Sequence, residues 1–273
     1  MNHLFRELAP ISDAGWQEID KEATRTLKTT LAARKLVDFV GPQGWDASAV
    51  GTGRIRQVEP PPRSTVEARL RQVLPMVELR VPFEMLRSEL DAIDRGAQDP
   101  DTDPVIAAAR SIAIAEDRAV FHGYATAGIR GICEGSGDAT VPLGDDYASY
   151  PVLVATAVNR LRDAGIDGPF AVALSERCYT SLTESTQAGY PVLEHVRDLI
   201  DGPLVWAPGL DGAVVLSMRG GDFQLTVGQD FSIGYLDHDA ERVRLYIEES
   251  FTFWLQTPEA AVPLAFPTTQ AGS

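Results

Sequence analysis

Residues 220–258 read GGDFQLTVGQDFSIGYLDHDAERVRLYIEESFTFWLQTP. Its odd-numbered positions carry the apolar side chains Phe223, Leu225, Val227, Phe231, Ile233, Tyr235, Val243, Leu245, Ile247, Phe251, Phe253 and Leu255. The positions between them are mostly Gln, Thr, Ser, Arg and Glu. A period of two held this long predicts β-strands with one face buried and the other wet or docked. Gly228-Gln229-Asp230 and Asp237-His238-Asp239 interrupt the pattern as turns do. Arg242 to Gln256 then runs unbroken for roughly 50 Å, the length of a structural spine.

Working outward, the N-terminal side holds an amphipathic helix. Ser12 or Asp13 caps it, Trp16, Ile19, Ala23, Leu27 and Leu31 form one stripe, and the chain is stopped by Val37 to Val40 and then Gly41-Pro42. From Gly51 to Phe83 the pattern is extended. GRIRQV and TVEARLRQV alternate around a stiff Pro60-Pro61-Pro62 turn, a long hairpin too thin to hold its own core. Such an arm gains stability only by lying on a neighbour. PFEMLRSELDAIDRG is expected as a short helix with Leu86, Leu90 and Ile93 inward. VIAAARSIAIAEDRAVF is expected as a longer one led by Asp103-Pro104. Glu116 and Asp117 on the latter point about 100° apart, so they are expected as solvated or interface charges and not an acid/base pair. Residues 136–220 alternate helices and strands, an α/β unit inserted into the first domain.

Composition bounds the function. At 273 residues with 44% hydrophobic and 23% charged side chains the chain is an ordinary globular protein. No apolar run reaches the length of a membrane span, the start MNHLFRELAP has no signal-peptide apolar region, and a cytoplasmic protein with no membrane partner is expected. Cys133 and Cys178 make neither a disulfide framework nor a metal-ligand spacing. The net charge of −15 argues against nucleic acid as a partner. Between Gly51 and Arg80, however, six Arg and three Glu leave +3, against −18 elsewhere. Phosphate-binding, zinc-protease and nucleophile-elbow motifs are missing, and Ser175, His195 and Asp198 are a hydrolase triad only on paper. No catalytic or metal residue is assigned, and an enzyme is not expected.

The segments RELAPIS, GWQEID, LAARKLVDFVGPQGW, VELRVPFEMLRSELDAIDRG, AEDRAVFHG, GIDGPF, HVRDLIDG, GGDFQLTVGQDFSIGY and VRLYIEESFTF, in that order, resemble the bacterial encapsulins over nearly the whole chain. The resemblance implies an α+β, HK97 capsid-like fold. Residues 1–46 would form the N-terminal helix and the start of the P-domain, 47–80 the extended E-loop, and 81–135 the P-domain with its spine helix. Residues 136–220 would form the A-domain, 221–266 the C-terminal P-domain strands, and 267–273 a flexible tail.

The resemblance further implies a shell subunit that self-assembles into an icosahedral homo-oligomer of about 60 copies in the T=1 arrangement. Its cargo would be a dye-decolourising peroxidase or a ferritin-like protein, serving oxidative stress or iron storage, held by a C-terminal targeting peptide. The peptide groove implied by position comprises Leu27, Leu31, Arg34, Val37, Asp38, Phe39, Phe231, Ile233 and Tyr235. The five-fold pore loop comprises Glu184, Ser185, Thr186, Gln187, Ala188, Gly189 and Tyr190. Arm docking is expected to use Arg54, Arg56, Arg69 and Arg71 against acidic neighbours. Some relatives stack flavin on a tryptophan where this chain has Ser88, so no flavin or other cofactor is expected. The alternatives are a protease or bacteriocin-like activity and a capsid that packages nucleic acid.

Overall fold

The computed structural model describes residues 3–137, 140–187 and 189–267. α1 (Asp13–Thr30) is capped by Ser12, whose Oγ accepts the Gly15 N–H, and it buries Trp16, Ile19, Ala23 and Leu27. It is shorter than its sequence pattern suggests. Leu31 turns extended, because the backbone N–H groups of Ala32 and Ala33 donate to the Asp117 carboxylate instead of continuing the helix. β1 (Asp38–Val40) follows, then a hairpin of β2 (Ala49–Val58) and β3 (Ala68–Pro75). β4 (Val77–Leu86) leads into α2 (Arg87–Asp94) and the long α3 (Asp103–His122). Residues 82–86, expected as helix, thus belong to a strand, and Leu86 is exposed instead of inward. The odd positions Val77, Leu79, Val81, Phe83 and Met85 explain why: their period of two continues from the arm into the sheet.

The second half holds α4 (Ile132–Gly135), β5 (Val141–Pro142), α5 (Tyr150–Asp163), β6 (Phe170–Leu174) and α6 (Glu176–Glu184). The short strands β7 (Thr186–Gln187) and β8 (Tyr190–Pro191) are followed by α7 (Val192–Arg197), β9 (Leu204–Trp206) and β10 (Ala213–Ser217). β11 (Phe223–Val227), β12 (Ser232–His238), β13 (Arg242–Leu255) and β14 (Ala261–Ala265) close the chain.

β13 is the spine. Along one edge it pairs antiparallel with β4, from Arg242–Leu86 to Phe251–Val77. Along the other it pairs with β12 through residues 243–248 and with β11 through residues 251–255. β11 and β12 are therefore one strand interrupted at Gly228 to Phe231. β1 joins it in parallel, beside β11 only. The middle of β13 is buried on both faces, Glu248, Glu249, Ser250 and Thr252 included, so of the two possibilities for its second face, wet or docked, the structure shows the docked one. The second sheet runs β5-β14-β10-β6-β9. β14, grouped by sequence with the spine strands, pairs with β10 and β5 in this second sheet.

Two apolar clusters divide the core. One lies between α1, α3, β4, β12 and β13, with Ile19, Met85, Ile112, Leu245 and Ile247. The other fills the second unit with Tyr150, Leu161, Val172 and Val215, and extends to Leu225 and Phe251. α3 serves both, through Val105 to Ala113 in the first and Ala119 to Phe121 in the second. Removing a fully buried side chain such as Ile112 to Ala is worth about 2–5 kcal/mol. Glu116 and Asp117 sit at the seam between the clusters and are both fully buried, so the expectation of solvated charges is overturned.

Candidate functional site

The seam is resolved by one cation. Arg34 binds Glu116 at 2.6 Å, Asp230 at 2.8 Å and Glu249 at 3.1 Å. Its guanidinium also lies 4.4 Å from the ring centre of Phe231 and 5.1 Å from that of Phe39. Burial alone would pull the Arg34 pKa down. The hydrogen bond and charge of Glu116, then the charges of Glu249 and Asp230, outweigh it and hold the pKa above its usual value. Burial first, and then the charge of Glu116, pushes Glu249 well above the carboxylate range. Asp117 is pushed up to about 7 by burial, with the Ala33 and Ala32 N–H groups opposing and Glu116 adding to the shift. One guanidinium faces three carboxylates, and burial together with Glu116 favours the neutral form of Glu249. Sequence reasoning missed Glu249, although it was marked: it is a charge on the otherwise apolar odd-numbered face of the spine strand.

Beside this cluster a cavity of about 270 Å³ opens between α1 and β12, lined by Leu4, Arg6, Asp20, Ala23, Thr24, Leu27, Phe231, Ser232, Ile233 and Ile247. Leu27, Phe231 and Ile233 of the expected groove line it. The remaining expected residues are distributed differently. Leu31 is buried in the core, Arg34 is held in its ion pairs, and Tyr235 bonds through its hydroxyl to His238 Nδ1 at 2.5 Å. Val37 and Asp38 border a separate small pocket of about 60 Å³ with Met218, Asp222 and Phe223. Pairing of β1 with β11 carries them toward the other end of the sheet, where Asp38 accepts the Gly221 N–H at 2.6 Å. Phe39 is exposed and reaches the groove side only through Arg34. No periodic pattern marks Leu4, Arg6 and Thr24, which lie on the cavity wall.

In the loop expected at a pore, Glu184 ends α6 and Thr186-Gln187 pairs with Tyr190-Pro191 as a small hairpin. Gly189 turns it with φ of 80°, a left-handed value that favours glycine. Ala188 lies outside the described residues. Tyr190 is exposed and meets the His195 ring edge-on at 5.0 Å. Ser185 is the C-cap of α6.

The arm carries Ile55, Val66, Leu70 and Val73 more than half exposed. Its register opposes Ile55 to Arg71, Gln57 to Arg69 and Arg56 to Leu70. Directly opposed residues share a face, so Arg69 and Arg71 lie on one face with Ile55, while Arg56 lies on the other with Leu70. Arg54 sits at the register shift between Gly51 and Ile55. The four arginines therefore do not form one basic surface. Arg69 already pairs with Glu67 at 2.7 Å. Ser88 is exposed on α2. Ser175 caps α6 by accepting the Cys178 N–H. Among the described residues no cluster of His, Cys, Asp and Glu could hold a metal ion, and no helix is long and apolar enough to cross a membrane.

A projecting two-stranded arm, a spine helix beside a long spine strand, and a second α/β unit define an α+β protein of the HK97 capsid class. The fold matches a virus-like particle protein of Pyrococcus furiosus with a TM-score of 0.61, at 16% identity, over 91% of this chain and 98% of that one. It matches the protein of Mycobacterium phage Ogopogo at 0.58, with 12% identity over 88% and 92%. Within that class the chain belongs to the encapsulin family: the model described as encapsulating protein for peroxidase matches residues 1–252. It is 57% identical to the type 1 encapsulin shell protein of Rhodospirillum rubrum over 97% of this chain and 96% of that one. The type 1 encapsulin shell protein of Mycobacterium tuberculosis is 45% identical over 97% and 100%.

Proposed function

We propose that this chain is a non-enzymatic shell subunit that assembles with copies of itself into a closed icosahedral compartment in the cytoplasm and encloses a peroxidase or ferritin-like enzyme. The arm carries this reading: β2 and β3 expose apolar side chains on both faces and have no core of their own. An isolated hairpin of this kind is marginal in water, so a neighbouring copy is the covering surface. Light scattering of the purified chain should show uniform particles of about 60 copies, and a monodisperse monomer or dimer at neutral pH would refute the assembly.

The cavity between α1 and β12 is the proposed seat of the cargo's C-terminal peptide. Its walls offer Leu27, Phe231, Ile233 and Ile247 to apolar side chains, and the Arg6–Asp20 pair supplies polar contacts. Phe231→Asp should leave particles intact and abolish co-purification of cargo, as judged by mass spectrometry of the particles. The 184–190 hairpin is proposed as the pore rim. The reading includes no shell-bound flavin, because Ser88 presents a hydroxyl where stacking needs an aromatic face.

A further inference from the structure

β1 covers only the β11 half of the interrupted strand. Beside the β12 half runs the N-terminal segment. Tyr235 N–H donates to the Leu4 carbonyl at 2.8 Å, and the Tyr246 hydroxyl donates to the His3 carbonyl at 3.5 Å. Arg6 grips Asp20 through two hydrogen bonds, at 2.7 and 3.1 Å, and lies 3.9 Å over the Trp16 ring. Leu4 and Arg6 thereby form one wall of the cavity whose other walls include Leu27, Phe231, Ile233 and Ile247.

His3 anchors the N-terminal side of this segment. His3 stacks on Trp45 at 4.4 Å with an interplanar angle of 11°. Its Nε2 is buried without a hydrogen-bond partner, 3.3 Å from Glu248 Oε1. Glu248 is buried on β13. It accepts the Gln229 amide at 3.0 Å through Oε1 and Arg80 from β4 at 2.5 Å through Oε2. Glu78 is 3.5 Å from Arg80. The Tyr246 phenol, beneath Arg80, is shifted upward by burial first and then by Glu248, and it stays neutral. Around His3 the nearest charge is thus a carboxylate. Arg80 opposes a second cation, but it binds the other oxygen of Glu248 and is itself offset by Glu78.

We propose that residues 3–8 form a proton-operated strap over the cavity: a charged His3 latches onto Glu248 and holds the strap shut, and a neutral His3 lets it lift. Histidine changes charge between about pH 5 and 8, so the strap closes on acidification and loosens on the alkaline side. The inference rests on the groove reading for what the strap admits. The motion itself is measured without any occupant.

The test uses assembled full-length protein at about pH 5.5 and about pH 8. Hydrogen exchange of the Tyr235 amide, scaled for its intrinsic pH dependence, should be at least about fivefold slower at the lower pH, the low end of the coupling between two linked equilibria. Anilinonaphthalene sulfonate, an apolar dye suited to a cavity walled by Leu27, Phe231, Ile233 and Ile247, should fluoresce more at about pH 8. His3→Gln should remove both differences, and Trp45→Leu should weaken Tyr235 protection at both values. The same pH dependence in His3→Gln, or wild-type protection that does not change with pH, overturns the strap. Light scattering of the same samples excludes disassembly as the cause. If Phe231→Asp still loads cargo while Tyr235 protection follows His3, the groove reading fails and the strap stands.

Discussion

Replacing Arg34 with Met tests the seam most directly. Among the described residues Arg34 is the only cation bonded to the fully buried Glu116 and Glu249, and methionine fills similar apolar volume between Phe39 and Phe231. Breaking a buried ion pair from one side costs about 3–5 kcal/mol, because the partner charge stays behind. At about 2.1 cal/mol/K of unfolding entropy per residue, over 273 residues, this is a fall of roughly 5–9 °C in melting temperature. The loss should depend on pH. At pH 8 the variant lacks the cation that offsets the buried carboxylates, and because burial pushes Glu249 upward, lowering the pH favours its neutral form and should reduce the penalty. Calorimetry at the two values should show most of the loss at pH 8 and a smaller one at pH 5. Adding Glu116→Gln and Glu249→Gln should restore much of the stability at pH 8. An equal loss at both values, or a loss below about 1 kcal/mol at pH 8, would refute the assignment of Arg34 as the charge that holds the seam.

The Asp117 pKa is raised from 3.8 to about 7, so the folded state binds more protons than the unfolded state between these values, and stability falls as pH rises through that window. Asp117→Asn should flatten that slope in unfolding measured from about pH 4 to 8, and an unchanged slope would count against it. Because Arg69 and Arg71 share an arm face that Arg56 does not, Arg69→Glu with Arg71→Glu should lower particle yield by a different amount from Arg56→Glu; light scattering of matched preparations would show whether the faces are equivalent. The Cys133 thiol is pushed up to about 12 by burial and then by Asp211, and Cys178 is buried. Iodoacetamide at pH 8 should therefore label neither in the native protein and both in denaturant, as read by mass spectrometry.

The elements that the sequence displayed are those whose periodicity extends over many residues. β13, α1 and α3 were legible because each alternates or repeats against a continuous core. The α1 end was not, because an intact apolar stripe through Leu31 says nothing of a carboxylate 85 residues away that takes the next N–H groups. Glu116 and Asp117 looked solvated for the same reason: charge identity carries no information on burial until Arg34 and Glu249 are brought beside them by the sheet. Leu27, Phe231 and Ile233 line one cavity because they lie on regular elements that face each other. Val37 and Asp38 border a different pocket because the parallel pairing of β1 with β11 is a long-range choice. The arm was recognisable as a hairpin, but the division of its arginines between faces needed the register.

β14 gives the fold an order in time. The second sheet starts with β5 and β6 in mid-chain, yet β10 has one edge that only residues 261–264 fill. Synthesis proceeds from the N-terminus, so the inserted unit keeps an open strand edge until residues 261–264 have left the ribosome. An unpaired edge is a template for pairing with other chains. The sheet is thus completed only after the spine strand, residues 242–255, has also emerged.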